Sequence, residues 1–94
     1  MIVVVKSGPD TTDGRRGVTL ARDAGAALIL IQNAVVFARA KLGGGAGPGA
    51  TYALEDDLRL RGLRAEDIAR GIERIDYSRL VDLLAGADKV VGAF

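Results

Sequence analysis

The sequence contains no cysteine, no histidine and no tryptophan among its 94 residues. Without cysteine the chain has no thiolate nucleophile, no persulfide carrier, no disulfide and no sulfur-rich zinc site, and without histidine it has no imidazole base or imidazole metal ligand. We therefore predict no catalytic residue, no metal site and no cofactor in this chain. A chain of this length builds one small core, so additional burial against another subunit would be favourable.

Charge and hydropathy argue against a nucleic-acid-binding protein, a secreted protein and a membrane-spanning protein. The chain has 13 Lys and Arg against 12 Asp and Glu, so it lacks the basic surplus that direct nucleic-acid binding requires. The apolar run at residues 2–5 is too short for a signal peptide, and it has neither a charged n-region before it nor a small-residue cleavage site. The most apolar stretch, residues 24–40, is interrupted by polar side chains and is not predicted to span a membrane. We therefore expect a cytoplasmic protein.

Short apolar runs alternate with amphipathic segments, which is typical of βα units around a mainly parallel sheet. Strands are predicted at residues 2–5, 26–31, 51–54, 72–75 and 89–91, and helices at 12–24, from 33 onward, at 55–62 and at 77–85, with a helical turn within 65–70. The pattern predicts an α/β protein: a single three-layer α/β/α domain over residues 1–94, with a mainly parallel sheet of about five strands.

The segment after the second predicted strand is apolar around its whole circumference. Val35, Val36 and Phe37 follow one another there, and charge returns only at Arg39. Such a helix has no side that prefers water. Two interpretations stay open: the chain's own loops bury the segment, or Val35, Val36 and Phe37 lie in a subunit interface, which is the prediction made here.

The glycine-rich stretch at residues 43–50 suggests a phosphate-binding loop, but its context argues against one. A Walker loop needs Lys followed by Ser or Thr after its last glycine, whereas Gly49 is followed by Ala50 and Thr51. A dinucleotide-binding loop leads from a strand into a helix, whereas this stretch leads from a helix into a strand. We predict a flexible loop at residues 43–50.

Three consecutive acids, Glu55, Asp56 and Asp57, could be read as a carboxylate cluster for metal binding or acid–base chemistry. They also begin a predicted helix that has bases in its last turn, where acids and bases respectively complement the helix dipole. Glu55 and Arg59, like Asp57 and Arg61, are spaced as i,i+4 ion pairs. We interpret the cluster as a helix N-terminus.

Four segments of the chain carry a family resemblance. They are residues 4–7 (Val-Val-Lys-Ser), residues 27–38, residues 52–63 with the pattern Tyr-x-Leu…Asp…Arg-Gly, and residues 75–90, which include Ile-Asp-Tyr-Ser-Arg-Leu-Val-Asp-Leu. In this order and spacing they resemble the DsrH/TusB family of small sulfur-relay subunits, within the DsrE/DsrF/DsrH superfamily. The sequence departs from that family in the glycine-rich stretch and at Gln32 and Asn33, where members usually have an acidic residue.

The resemblance implies a DsrEFH-like fold and a role in a complex. It implies a hetero-oligomer with DsrE/TusD-like and DsrF/TusC-like paralogues, which passes a persulfide toward a TusE/DsrC-like acceptor. The pathway ends in thiolation of the tRNA wobble uridine or in intracellular sulfur oxidation. Leu54 is the approximate counterpart of the carrier cysteine in the paralogues, and leucine cannot carry sulfur. The resemblance therefore implies a non-catalytic subunit.

The carboxyl ends of parallel strands form the usual binding crevice of an open α/β sheet. Residues predicted to contact this crevice are Lys6, Ser7, Gln32, Asn33 and Leu54. Lys6 and Ser7 could together stabilise thiolate-like charge, or could simply be a solvated cation and a turn residue. An alternative function is a stand-alone homo-oligomeric module that binds a small ligand or anion at this crevice. A hydrolase with Ser7 as nucleophile is disfavoured because the chain has no histidine base.

Overall fold

A computed structural model describes residues 1–40, 49–92 and 94. The elements are β1 (Ile2–Val5), α1 (Thr12–Ala24), β2 (Ala27–Leu30), a 3₁₀ helix (Gln32–Ala38), β3 (Thr51–Leu54), α2 (Glu55–Leu60), a short 3₁₀ helix (Ala65–Asp67), β4 (Ile72–Ile75), α3 (Tyr77–Gly86) and β5 (Val90–Val91). All but the last two residues of the loop predicted at 43–50 lie outside the described residues. No helix in the described part of the chain is both long and apolar enough to cross a bilayer.

The five strands form one sheet in the order β4-β3-β2-β1-β5, and every neighbouring pair is parallel. Both faces of the sheet are apolar, as a parallel sheet covered on both sides requires. On one face Val3, Val5 and Leu30 pack with residues of α1, the longer 3₁₀ helix and α2. On the other face Ile2 and Ile29 pack against α3. The predicted three-layer α/β/α fold with a mainly parallel five-stranded sheet is confirmed.

Thr11 caps helix α1 and positions the loop that precedes the helix. Thr11 Oγ1 accepts a hydrogen bond from Gly14 N at 3.0 Å and donates one to Gly8 O at 2.7 Å. A Cβ atom on Gly14 would lie 2.4 Å from Ser7 O. Glycine is disfavoured inside helices, but here it lets the helix approach the loop backbone. Sequence and packing thus fix the path of the chain just after β1.

The apolar segment after β2 is a 3₁₀ helix rather than the predicted α-helix. Val35 is fully buried and Phe37 is 9% exposed, and both belong to the core formed with α1 and the sheet. Only Val36 of the three is partly exposed. The interface prediction is therefore wrong for Val35 and Phe37, because the chain's own core covers the apolar circumference of this helix; for Val36 it stays a prediction.

Replacing Phe37 with alanine is expected to lower the free energy of unfolding by about 3–4 kcal/mol, since it removes a buried aromatic ring and leaves a cavity. Urea denaturation followed by circular dichroism measures the change. Val36→Ala on the same helix is the matched control and should cost clearly less, because Val36 is smaller and partly exposed. Equal losses in the two variants would contradict the core position of Phe37.

Candidate functional site

A pocket of about 670 Å³ opens at the carboxyl ends of β1 and β2. Its lining comes from the loop between β1 and α1, from the longer 3₁₀ helix and from the end of α2; the residues are Lys6, Ser7, Gly8, Pro9, Asp10, Thr11, Gln32, Asn33, Val36 and Arg61. Four of the five residues predicted for the crevice therefore lie around one pocket. They come together because parallel strands end at the same edge of the sheet.

Leu54 is the exception, and the prediction that it contacts the crevice is wrong. Its side chain is 2% exposed and packs with Ile2, Ile29 and Ile75 on the face of the sheet that α3 covers. Successive side chains of a strand point to opposite faces. Ala53 therefore joins the core on the pocket side of the sheet, and Leu54 turns away from the pocket.

Lys6 and Ser7 are presented by a hydrogen-bonded turn. Ser7 N donates to Phe94 O at 3.1 Å, and Thr11 N donates to Gly8 O at 3.1 Å, so the backbone on both sides of the turn is held. Lys6 is exposed. Among the described residues no acid lies within ion-pair distance of its ammonium group. Lys6 thus supplies a positive charge to the pocket that no described ion pair neutralises.

Gln32 lines the pocket, and its backbone is strained. Its φ angle is 50°, and it is the one non-glycine residue of the described chain with a positive φ. Such conformations cost free energy and persist where neighbouring contacts enforce them. Here the Gln32 backbone N–H donates to Asp57 Oδ2 at 2.7 Å, and Asp57 is 8% exposed. A buried carboxylate on α2 therefore holds the turn that follows β2.

Arg61 contacts the same turn through the side chain of Asn33, the residue after Gln32. Arg61 Nε and Nη2 both donate to Asn33 Oδ1, at 3.2 and 2.9 Å. Its Nη1 donates to Asp57 O at 3.2 Å and lies 3.8 Å from Asp57 Oδ1. Asp57, on α2, thus holds the backbone of Gln32. Arg61, just beyond α2, holds the side chain of Asn33.

The sequence predicts only part of this arrangement. The i,i+4 pairing of Asp57 with Arg61 is present, but the spacing carries no signal for their contacts with Gln32 and Asn33. The predicted pair of Glu55 with Arg59 is not formed: Glu55 Oε1 lies 3.6 Å from Arg74 Nη1, and Arg59 contacts Asp56 instead. The three acids begin α2 as predicted, yet Asp57 bonds outside its own helix.

The lining of the pocket combines charged, polar and apolar groups. Lys6 and Arg61 are its cations and Asp10 is its acid, while hydroxyl and amide groups supply neutral donors and acceptors. Val36 and Pro9 add apolar surface. In the described part of the chain no group of three or more His, Cys, Asp or Glu residues is placed to hold a metal ion. The arrangement can receive a polar or anionic group of another molecule.

Comparison with known proteins places the chain in a family. The family model for DsrH-like proteins matches residues 18–90. The chain belongs to the DsrH-like family. The match includes Gln32, Asn33 and Arg61 but begins after Lys6 and Ser7, so the pocket is built partly from residues outside the matched range. Membership in this family supports a sulfur-relay-related role for the chain at the level of the family. DsrH family members generally act in complexes with DsrE/DsrF-like partners.

Two solved structures are similar to the chain over nearly its whole length. Protein Tm0979 from Thermotoga maritima is 34% identical to the DsrH-like chain, with 95% of this chain and 97% of that protein covered and a TM-score of 0.69. The YchN protein from Escherichia coli has the same fold, with a TM-score of 0.84, 17% identity, and coverage of 98% of this chain and 97% of YchN. Comparison with curated proteins gave no match.

Proposed function

We propose that this DsrH-like protein is a non-catalytic subunit of a sulfurtransferase complex that contains DsrE/TusD-like and DsrF/TusC-like paralogues. One observation carries the proposal: the chain is a member of the DsrH-like family and has no cysteine at any position. A persulfide needs a cysteine sulfur. The sulfur therefore resides on a partner, and this chain contributes a binding surface at the transfer site.

The transfer step shows what such a surface can contribute. A thiolate of the acceptor attacks the terminal sulfur of the donor's cysteine persulfide; a new S–S bond forms as the donor's S–S bond breaks, and the donor leaves as a thiolate. The exchange needs no external oxidant. Because both reacting groups are anionic, they repel each other, and a fixed cation beside them lowers the barrier.

In this proposal the pocket faces the partner's sulfur, with Lys6 as the cation and Ser7 as a hydrogen-bond donor. The acceptor is a TusE/DsrC-like protein of the cytoplasm. The end product is either tRNA thiolated at the wobble uridine or an oxidised sulfur species. The pocket supports this role because its lining combines a cation that no described ion pair neutralises with hydroxyl and amide donors.

Lys6→Ala is expected to slow sulfur transfer by about tenfold or more in a reconstituted complex, since a hydrogen bond to a charged group contributes roughly 1.5–3 kcal/mol. The rate is followed as transfer of ³⁵S from the donor subunit to the acceptor. Native mass spectrometry of the same samples should show an unchanged complex.

Lys89→Ala is the matched control. Lys89 is also an exposed lysine, but it immediately precedes β5, at the opposite end of the parallel strands. Its removal should leave the transfer rate unchanged. A normal rate with Lys6→Ala would remove Lys6 from the transfer site, and an equal loss in both variants would indicate a general charge effect.

A second candidate function is a stand-alone homo-oligomeric module that binds a small ligand or anion. One observation favours it: the pocket lining combines the exposed Lys6 with the hydroxyl and amide groups of Ser7 and Asn33, which together complement a small anion. Self-association of the chain without a cysteine-bearing paralogue in its native host would support this module over the relay subunit.

A further inference from the structure

We propose that Arg61 is a positioning residue that holds the Asn33 side chain with its amide nitrogen free, so that Asn33 and Lys6 together bind a small anion within the pocket of the single chain. The inference rests on the proposed function in one respect, namely that the pocket receives an anionic group. It goes further in naming Asn33 as a ligand-binding donor, and in assigning a small oxyanion or sulfur anion as the ligand.

The orientation of the Asn33 amide follows from the chemistry of its neighbour. A guanidinium group carries only donors, so the Asn33 atom that accepts from Arg61 Nε and Nη2 must be the carbonyl oxygen Oδ1. The amide nitrogen Nδ2 therefore points away from Arg61. Within the described residues no hydrogen bond uses Nδ2, and Asn33 is an exposed residue of the pocket lining. The two N–H groups of Nδ2 are thus free to donate to a ligand.

Arg61 acts through its position rather than as a free charge. Its side chain is 26% exposed, and Oδ1 of the mostly buried Asp57 side chain lies 3.8 Å from Nη1. The charge of Arg61 is therefore largely balanced by Asp57 within the protein. Because Asp57 also accepts from the Gln32 backbone, both the backbone that leads into Asn33 and the Asn33 side chain are anchored. The donor is preorganised, which reduces the entropy lost on binding.

The donors around the pocket define the class of ligand. Lys6 presents an ammonium group, Asn33 an amide N–H pair and Ser7 a hydroxyl, and all of these complement a compact group rich in acceptors. Asp10 is the one carboxylate in the lining, and it opposes an anion. We therefore expect affinity in the millimolar range, raised by Asp10→Asn.

The sequence offers a selective spectroscopic probe. It contains one glutamine and one asparagine, Gln32 and Asn33, and both line the pocket. The side-chain amide region of a ¹H–¹⁵N correlation spectrum therefore reports on this pocket alone. Titration with sodium phosphate, and separately with sodium thiosulfate, at constant ionic strength set by sodium chloride, should shift the Asn33 amide pair saturably. Saturation by thiosulfate alone would restrict the ligand to sulfur anions; saturation by both would assign a general anion site.

Two variants test whether Arg61 acts by positioning Asn33 and not through its own charge or through the stability of the fold. Asn33→Asp keeps an acceptor for Arg61, so the melting temperature should hold. It removes the amide donor and adds a repelling charge, so saturable anion binding should be lost; in this variant binding is followed through the backbone amides of Ser7 and Gly8, which also line the pocket. Arg61→Lys keeps the charge but loses the planar fork. The Asn33 amide pair should then move toward its solvent-exposed position, and anion affinity should fall by at least about fivefold, against unchanged affinity in the control Arg59→Lys.

Unchanged affinity in Asn33→Asp or Arg61→Lys, or linear shifts that never saturate in the unmodified protein, would overturn this inference. Such a result in a chain that still assembles with a cysteine-bearing paralogue would leave the relay subunit intact. Saturable binding in a chain that recruits no such paralogue would support the anion site and overturn the relay role instead.

Discussion

Gly14→Ala is expected to lower the free energy of unfolding by about 2–3 kcal/mol, or roughly 10–20 °C in melting temperature for a domain of this size. This loss of stability is the opposite of the usual effect, since replacing glycine with alanine inside a helix normally stabilises a protein by about 1 kcal/mol. A Cβ atom on Gly14 would lie 2.3 Å from Gly8 O and 2.4 Å from Ser7 O. Both contacts are to backbone, so helix α1 and the pocket loop must move apart.

Gly86→Ala is the matched control for this substitution. Gly86 is the last residue of α3, and a Cβ atom there would meet nothing within 4 Å. The control should leave the melting temperature unchanged or raise it slightly. Thermal unfolding followed by circular dichroism measures both variants. A neutral or stabilising Gly14→Ala would contradict the close approach of α1 to the turn after β1.

Asp57→Ala should destabilise the protein by about 3 kcal/mol, because it leaves the Gln32 backbone N–H without its acceptor and Arg61 without its counter-charge in a mostly buried setting. It should also release the strained Gln32 backbone. Urea denaturation gives the change in stability, and the side-chain amide signals of Gln32 and Asn33 report the loss of local order in the same samples.

Asp56→Ala provides the control on the neighbouring position. Asp56 pairs with Arg59, and both side chains are about half exposed or more. Exposed pairs of this kind contribute about 0–1 kcal/mol, so the control should retain nearly full stability. Comparable losses at the two positions would mean that Asp57 serves only as one more acid in the first turn of α2, without a role in the pocket.

Local signals account for the parts of the fold that the sequence predicts well. Thr11 caps α1 through Gly14 N, Gly25 ends that helix with a φ of 63°, and Asp76 caps α3 by accepting from Arg79 N at 2.8 Å. Caps and β-branched runs act over a few residues, so they can be read without knowledge of the tertiary structure. The shared edge of a parallel sheet then brings Lys6, Ser7, Gln32 and Asn33 together.

Most of the failures of prediction concern contacts between distant segments. The apolar circumference of the 3₁₀ helix fits a core or an interface equally well, and only the packing of α1 and α2 shows that Val35 and Phe37 are in the core. Leu54 faces α3 because side chains alternate between the two faces of a strand. The sequence alone does not show which of the two faces is the pocket side. Arg61 reaches Asn33 across 28 positions of sequence, and no spacing rule covers such a contact.

We propose that this DsrH-like chain carries no persulfide itself and works beside a cysteine-bearing partner. The decisive experiment is affinity isolation of the tagged protein from its native host. The recovered proteins are identified, and the intact complex is weighed by native mass spectrometry. We expect recovery with a DsrE/TusD-like paralogue that carries a cysteine, in a hetero-oligomer of one defined mass. Recovery of the chain only with copies of itself would contradict it.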